Sequence, residues 1–509
     1  MKTRFASVFM AAVLLAALIP AAAAADGDLV VFIDPDFEDA VREAIRKPEG
    51  WITKGDVDGV KELDVSWLGI ESLSGIEHFT ALETLDCSGN ELIRLDTSKN
   101  TLLRRLDCNF NNLATLNILK NTELRYLDCE QNRLEGLDTS GNPALVSLNC
   151  RDNLLTALEL ENNKTLRTLD CGGNHLKELD TSVHPALSEL YCDENALTFL
   201  DTGSNQKLMF LACDSNELTE IDVTQNTLLL GLSCRDNVLS NLNVSAIDSL
   251  TVLDCGENLI TELRLNSYLM ALDCSFNWLT SLDLRDNFQL ELLICNNNYL
   301  PGKESVTGLR DMMLLLDDNT LFEPQYESSP PDLSAVSPWA LRHVKTAIRR
   351  GLIPDGLLSG FQNPVTRLEF CRFAMNFIKA ETGKPVQSLL AQNKISVSLS
   401  AFTDTKDMDA LIAYALGIVS ETGDKTFNPG GQVRREDAAV MLMNLRKALG
   451  YDVSAPPSSG FADAANIAPG AEQAVDYCVA NGIMSGGETF NPKGLITREM
   501  CIMMFANMR

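Results

Sequence analysis

The chain has 509 residues, 45% of them hydrophobic, with a formal net charge of −28. That length calls for several domains and supplies enough apolar residues for folded cores. The acidity is local: residues 337–509 hold 18 Lys/Arg against 16 Asp/Glu, leaving 22 basic and 54 acidic residues, a net −32, in 26–336. So acidic a stretch disfavours nucleic acid or an anionic membrane as its partner.

Lys2 and Arg4 precede an apolar run through Leu14, Leu15 and Leu18 and an alanine tract ending at Ala25. This pattern predicts a secretory signal peptide over 1–25, cleaved around Ala24–Asp26. Its apolar core is too short for a membrane anchor, and no later stretch has the length and apolarity to span a bilayer. An exported, membrane-free mature protein is expected.

Residues 26–81 read as an N-terminal cap. A short amphipathic helix opens at Asp36-Phe37-Glu38-Asp39, sets Phe37, Val41 and Ile45 on one side, and stops at Pro48-Glu49-Gly50. Val60, Leu63, Val65, Leu68, Ile70, Leu73 and Ile76 then supply the apolar side of an atypical first coil.

From Leu82 a 21-residue unit, L-x-x-L-x-C-x-x-N, recurs. Leu82, Leu85, Cys87 and Asn90 are followed by Leu103, Leu106, Cys108 and Asn111. Further cysteines stand at 129, 150, 171, 192, 213, 234, 255, 274 and 295, each with an Asn three places later, and only the step to Cys274 is shorter, by two. Units this short cannot bury their own leucines, so they must stack and share one core. Leu85 and Cys87, two apart, point to the same inward face of a strand. Asn90 and its equivalents are expected to cap backbone groups at the turn that follows. The second half repeats the pattern with Leu92, Leu95 and Thr97, which predicts a second apolar wall. Regular spacing on an inward face makes these eleven cysteines small buried hydrophobes rather than a disulfide framework. With no C-x-x-C pair, they are not a zinc site. Cys371, Cys478 and Cys501 read as helix core.

This refrain resembles the leucine-rich repeat, and the cap resembles that of internalin-like bacterial members of the family. The resemblance implies a parallel-β solenoid over 82–320. Roughly a dozen coils at about 4.8 Å give a length on the order of 50 Å. Its outward strand positions form columns: Asp86, Asp107, Asp128, Asn149, Asp170, Tyr191, Ala212 and Ser233 in one, and Thr84, Arg105, Tyr126, Ser147, Thr168, Glu189, Phe210 and Gly231 in the other. Exposed aromatics beside charges on a rigid face suit a protein partner. The candidate face is Arg105, Tyr126, Asp128, Asp170, Tyr191 and Phe210; the alternative is an acidic face that only keeps stacked strands soluble. Residues 301–327 are expected to close the far end, and 321–336, with Tyr326-Glu327-Ser328-Ser329-Pro330-Pro331, to form a linker.

A longer repeat begins near 337. Helix starts recur at Val365-Thr366-Arg367-Leu368-Glu369, Val433-Arg434-Arg435-Glu436 and Ile496-Thr497-Arg498-Glu499. Phe427-Asn428-Pro429 and Phe490-Asn491-Pro492 precede the last two, and Phe402-Thr403-Asp404 and Phe461-Ala462-Asp463 open those units. In the first unit the loop reads Phe361-Gln362-Asn363-Pro364. The set resembles three S-layer homology domains, at 337–400, 401–455 and 456–509. The resemblance implies non-covalent attachment to an anionic, often pyruvylated, cell-wall polysaccharide of Gram-positive-type bacteria. It marks Trp339, the tryptophan usual in the family, beside Arg367, Arg435 and Arg498. Independently, Thr366 to Glu369 is a capping box, whereas a cation in a first helical turn opposes the macrodipole by about 0.3–1 kcal/mol. An arginine there three times over, beside free helix N–H groups, suits a carboxylate or phosphate ligand.

Catalytic patterns are missing. His78, His175, His184 and His343 share no motif, and no H-E-x-x-H, G-x-S-x-G or P-loop occurs. Calcium would take the aspartate column, but the Asp-Gly-rich loops of a specific site are absent. No cofactor or metal is expected. The sequence therefore predicts an α+β multidomain protein: a helical cap, a parallel-β leucine-rich-repeat solenoid and an α-helical region of three S-layer homology repeats. It would be a non-enzymatic surface protein that binds a protein through the solenoid and wall polysaccharide through the tail. The alternative is a structural component of a surface lattice.

Overall fold

Most 21-residue units form one short front strand, the later coils add a second strand at the back, and stacking does the rest. The computed structural model describes residues 28–309, 322–326, 329–454 and 458–508. The signal peptide, and parts of the end closure and linker, lie outside the described residues. The chain divides into two units, to Pro324 and from Gln325 onward.

In the first unit, strands such as Thr84–Asp86, Arg105–Asp107 and Tyr126–Asp128 pair in parallel, Leu85 beside Leu106 beside Leu127. Twelve strands join in chain order into one sheet, from Glu62–Asp64 to Leu292–Ile294. The central leucines and the following cysteines are buried, while the flanking strand residues face outward, as their period-two spacing requires. Across the short step to Cys274, Leu253 still pairs with Leu272, so the two missing residues come out of the back half and leave the sheet in register.

Two ladders hold neighbouring coils together. In front, Asn174 Nδ2 donates to the carbonyls of Cys150, Cys171 and Gly172, and its Oδ1 accepts the Leu155 N–H. Asn111, Asn132, Asn153, Asn195 and Asn216 repeat this bonding. The residue before each of them is left-handed: φ is 51° at Phe110, 52° at Gln131, 52° at Asp152 and 60° at Gly173. A non-glycine residue there costs roughly 1–2 kcal/mol, which the asparagine's bonds, each worth about 1 kcal/mol net, offset. The thiols add to this ladder, with Cys87, Cys108 and Cys129 each donating to a carbonyl of the next strand at 3.4 Å.

At the back, the expected apolar wall carries a second polar ladder. Asn121, Asn142, Asn163, His184, Asn205 and Asn226 recur every 21 residues and are buried. Asn163 Nδ2 donates to the carbonyls of Thr139 and Asn142, while the Thr139 hydroxyl donates to Asn163 Oδ1 at 2.7 Å. Where Ile118 or Leu160 replaces that threonine, the acceptor above is stranded, at Asn142 Oδ1 and His184 Nδ1. His184 Nε2 meets the Leu160 carbonyl at 3.1 Å; a carbonyl only accepts, so Nε2 carries the proton.

The cap helix runs Pro35–Ala44, one residue earlier than the sequence suggests, because Asp34 caps it and Pro35 fits its first position. Phe37 and Val41 bury as expected, but Leu68 is exposed, its N–H donating to Asn90 Oδ1. At the far end Val306–Thr307 pairs with Leu282–Asp283, and buried Phe322 joins the same core.

The second unit is helical and closes on itself. The helix Arg367–Thr382 packs on Met408–Ala415, Arg435–Ala448 on Glu472–Ala480, and Arg498–Asn507 on Leu341–Arg349. Each repeat thus lends its second helix to the first helix of the next, and the third lends to the first. The same cycle appears in the backbone: Val365 N–H donates to the Ile496 carbonyl, Ile496 to Val433, and Val433 to Val365. Residues 337–400 therefore complete a pseudo-threefold ring despite their looser motif.

Candidate binding surfaces

The solenoid's front sheet sets two outward columns on a rigid frame. Tyr126 and Phe210 are exposed, at 44% and 40%. Arg105 is exposed, and Asp128, Asp170 and Tyr191 are half-buried. Strand pairing aligns Arg105 with Tyr126 and Glu189 with Phe210, and sets Tyr191 beside Asp170. The six candidates thus lie on one face, on five strands of a six-strand stretch, and are not gathered into a cleft. Two arginines that sequence reasoning passed over bracket the acids. Arg151 pairs with Asp170 and Asp193, and Arg235 with Asp254, Glu257 and Asp273. Both arginines stand one place after a cysteine, outside the two columns followed in the sequence.

Burial makes several carboxylates of this face resist ionisation, Asp170 and Asp254 beside their arginines included. Burial, then the Asp128 and Asp86 charges, push Asp107 up to about 6. Burial also raises Asp214 to about 6. A carboxyl whose folded pKa lies above its unfolded value of about 3.9 destabilises the fold above pH 6, and the penalty disappears as pH falls from about 6 to about 4. The Tm should therefore rise between about pH 7 and pH 5. Asp107→Asn, which copies Asn149 in the same column, should raise the Tm at pH 7 and flatten that rise. An unchanged profile in thermal melts would remove this account.

In the second unit each arginine begins its helix and reaches into the next repeat. Arg367 donates from Nε to the Phe427 carbonyl at 2.9 Å and from Nη2 to Ser420 at 2.7 Å. Arg435 does the same to Phe490 and Ser485, both at 2.8 Å. Their guanidiniums stand over the Phe427 and Phe490 rings at 4.9 and 4.7 Å. These bonds supply a structural reason for the arginine that a helix start alone does not. The loops they grip are held from the other side. Asp404 accepts the N–H groups of Phe427 and Asn428, and Asp463 those of Phe490 and Asn491. That is the work of the F-x-D motif, whose aspartates sequence reasoning left without a role.

The third junction differs. Arg498 donates to the Ser359 carbonyl and pairs with Glu369. Ser359 thus occupies the place of Phe427, and Gly360 (φ 60°) that of Asn428 (φ 58°). Phe361-Gln362-Asn363-Pro364 is therefore two residues out of register with the F-N-P loops, a correction to the motif reading. Among the described residues, no carboxylate lies within ion-pair distance of Arg367 or Arg435. Burial lowers the pKa of both, against the opposing pull of Asp437 and Asp404 on Arg367 and of Asp463 on Arg435. Arg367 is half-buried and Arg435 is 8% exposed. Trp339 is exposed at 47% in the turn Pro338–Ala340. Ser337, two residues before it, donates to Glu499, so this turn lies at the Arg498 helix start rather than at that of its own repeat.

Among the described residues no three His, Cys, Asp or Glu side chains converge as a metal site. Nor, among the described residues, is any helix long and apolar enough to cross a membrane.

The family model of the S-layer homology domain matches residues 401–439 and 460–499. The solenoid is similar to an internalin (inlF) from Listeria monocytogenes, at 22% identity and a TM-score of 0.52 over 59% of this chain and 96% of that one. It is also similar to the functional domain of InlJ from Listeria monocytogenes, which includes a cysteine ladder, at 31% identity and a TM-score of 0.40 over 52% and 74% of the two chains. No curated protein matches the chain. The first unit is a leucine-rich-repeat solenoid with internalin-like structural neighbours, and the second carries S-layer homology domains, which in general bind cell-wall polysaccharide.

Proposed function

We propose that this leucine-rich-repeat protein with S-layer homology domains is an exported, non-enzymatic surface protein of a Gram-positive-type bacterium. Its helical ring attaches to anionic wall polysaccharide, and its solenoid presents the front sheet to a protein partner. The observation that carries the reading is the pair of helix-start cations, Arg367 and Arg435, bonded to carbonyls and facing phenyl rings with no carboxylate in ion-pair distance among the described residues. An acidic sugar substituent would supply the missing charge at Arg367, which keeps some access to solvent. Arg498 already has Glu369 and contributes least.

Pelleting of the full chain with purified cell walls tests this. Arg367→Gln should weaken binding by roughly ten- to a hundredfold, the weight of about 1.5–3 kcal/mol for a charge-assisted hydrogen bond. Added salt should weaken it further. Arg498→Gln should do little, provided its helical circular dichroism is retained. If Arg367→Gln, Arg435→Gln and Arg498→Gln together leave pelleting unchanged, the attachment reading is wrong.

A further inference from the structure

The front sheet changes character along its length. In the early coils the column before and within the strand carries Arg104, Arg105, Arg125 and Arg167, with Tyr126 and Val146 among them. From the strand Phe210–Ala212 onward it turns apolar. Met209, Phe210, Val252 and Met270 are exposed by 39, 40, 50 and 41%. Pairing sets Phe210 beside Gly231, and Gly231 beside Val252. The missing side chain matters here: a Cβ at Gly231 would meet the Phe210 ring at 3.3 Å, so the ring lies across the glycine toward Val252. An exposed apolar stripe on a unit of strongly acidic net charge is an interaction site in search of a cover.

Charge decides what covers it. Beside the stripe, Asp214 bonds only the Ser233 hydroxyl and the Arg235 N–H, with no cation within ion-pair distance among the described residues. Asp254 and Asp273 share the single guanidinium of Arg235, which also pairs with Glu257. The margin therefore carries surplus negative charge, and a second copy of this face would bring acid against acid.

We infer that the strands from Phe210 to Ala271 bind an amphipathic, lysine- or arginine-bearing segment of a protein partner. Its apolar side chains cover Met209, Phe210, Val252 and Met270, and its cations meet Asp214 and Asp254. This rests on the reading of the front sheet as a protein-recognition face and adds the partner's chemistry and its place. Burial of Asp214 beside the stripe implies further that binding weakens as pH falls through about 6, because a partner cation favours the ionised carboxyl.

The test uses the mature chain and three labelled synthetic peptides of equal length, alternating Leu/Lys, Leu/Glu or Ser/Lys, in fluorescence polarisation. The Leu/Lys peptide should bind, with the other two weaker by about tenfold or more. Phe210→Ser and Val252→Glu should each weaken it by a similar factor while leaving the thermal melt in place. Equal binding of all three peptides, no binding of the Leu/Lys peptide, or indifference to both substitutions would overturn the inference. Loss confined to Arg105→Ser and Tyr126→Ser would overturn it but keep the front sheet as the recognition face. If peptide binding ignores all four substitutions, both readings fall. Concentration-dependent dimers abolished by Val252→Glu would assign the stripe to a second copy, and likewise overturn it.

Discussion

A brief iodoacetamide pulse at about pH 8 is expected to leave all fourteen thiols of the folded protein unmodified, and to modify all fourteen once guanidinium unfolds it. Every cysteine is free and buried. The reactive species is the thiolate, and burial opposes it at each position, pushing Cys295, Cys371 and Cys478 up to about 12 and the inner ladder cysteines higher still. In the inner coils neighbouring thiols and strand aspartates add to this, so ionising one would set a charge among carboxylates without water. The readout is mass spectrometry of the intact chain. Cys295 ends the ladder and should be the first to react as the protein is warmed. Rapid labelling of Cys171 or Cys192 in the cold, folded protein would show that these thiols face solvent, and would invert every surface assigned from the register.

Asn153→Ala should be among the most damaging single substitutions in the solenoid. Its side chain satisfies the carbonyls of Cys129, Cys150 and Arg151 and the Leu134 N–H, all beside the core. Alanine leaves at least two backbone groups without partner or water. At about 1–3 kcal/mol each, the loss is roughly 3–5 kcal/mol, a fall in Tm on the order of 10 °C for a unit of this size. Damage should spread to the adjoining coils, since each coil is held by its neighbours, and hydrogen exchange would accelerate on both sides of residue 153. The outward Ser147→Ala serves as control and should shift stability by no more than about 0.5 kcal/mol. If Asn153→Ala melts with the control, the ladder is not what holds the coils in register.

Much of this was legible beforehand because the information is periodic. A leucine and a cysteine two residues apart, repeated every 21, dictate an inward face, a strand and a stack without any knowledge of distant contacts. The second ladder was equally written in the numbering, since His184 stands 21 residues after Asn163. It went unread because threonine beside leucine looks like a wall rather than a donor. Arg151 and Arg235 were missed for a different reason. Their partners lie one or two coils away, and only the strand register aligns them.

The chain's own order determined the solenoid, its buried thiols and the recurrence of an arginine at three helix starts, because each depends on local spacing and on side chains alone. Only the tertiary structure decided what those arginines do. The ring exchanges helices between repeats, so each cation meets the loop of the next unit, and the third meets Glu369, 129 residues away in sequence. Partners so distant are brought together by closure of the ring, and no periodicity within one repeat can encode them.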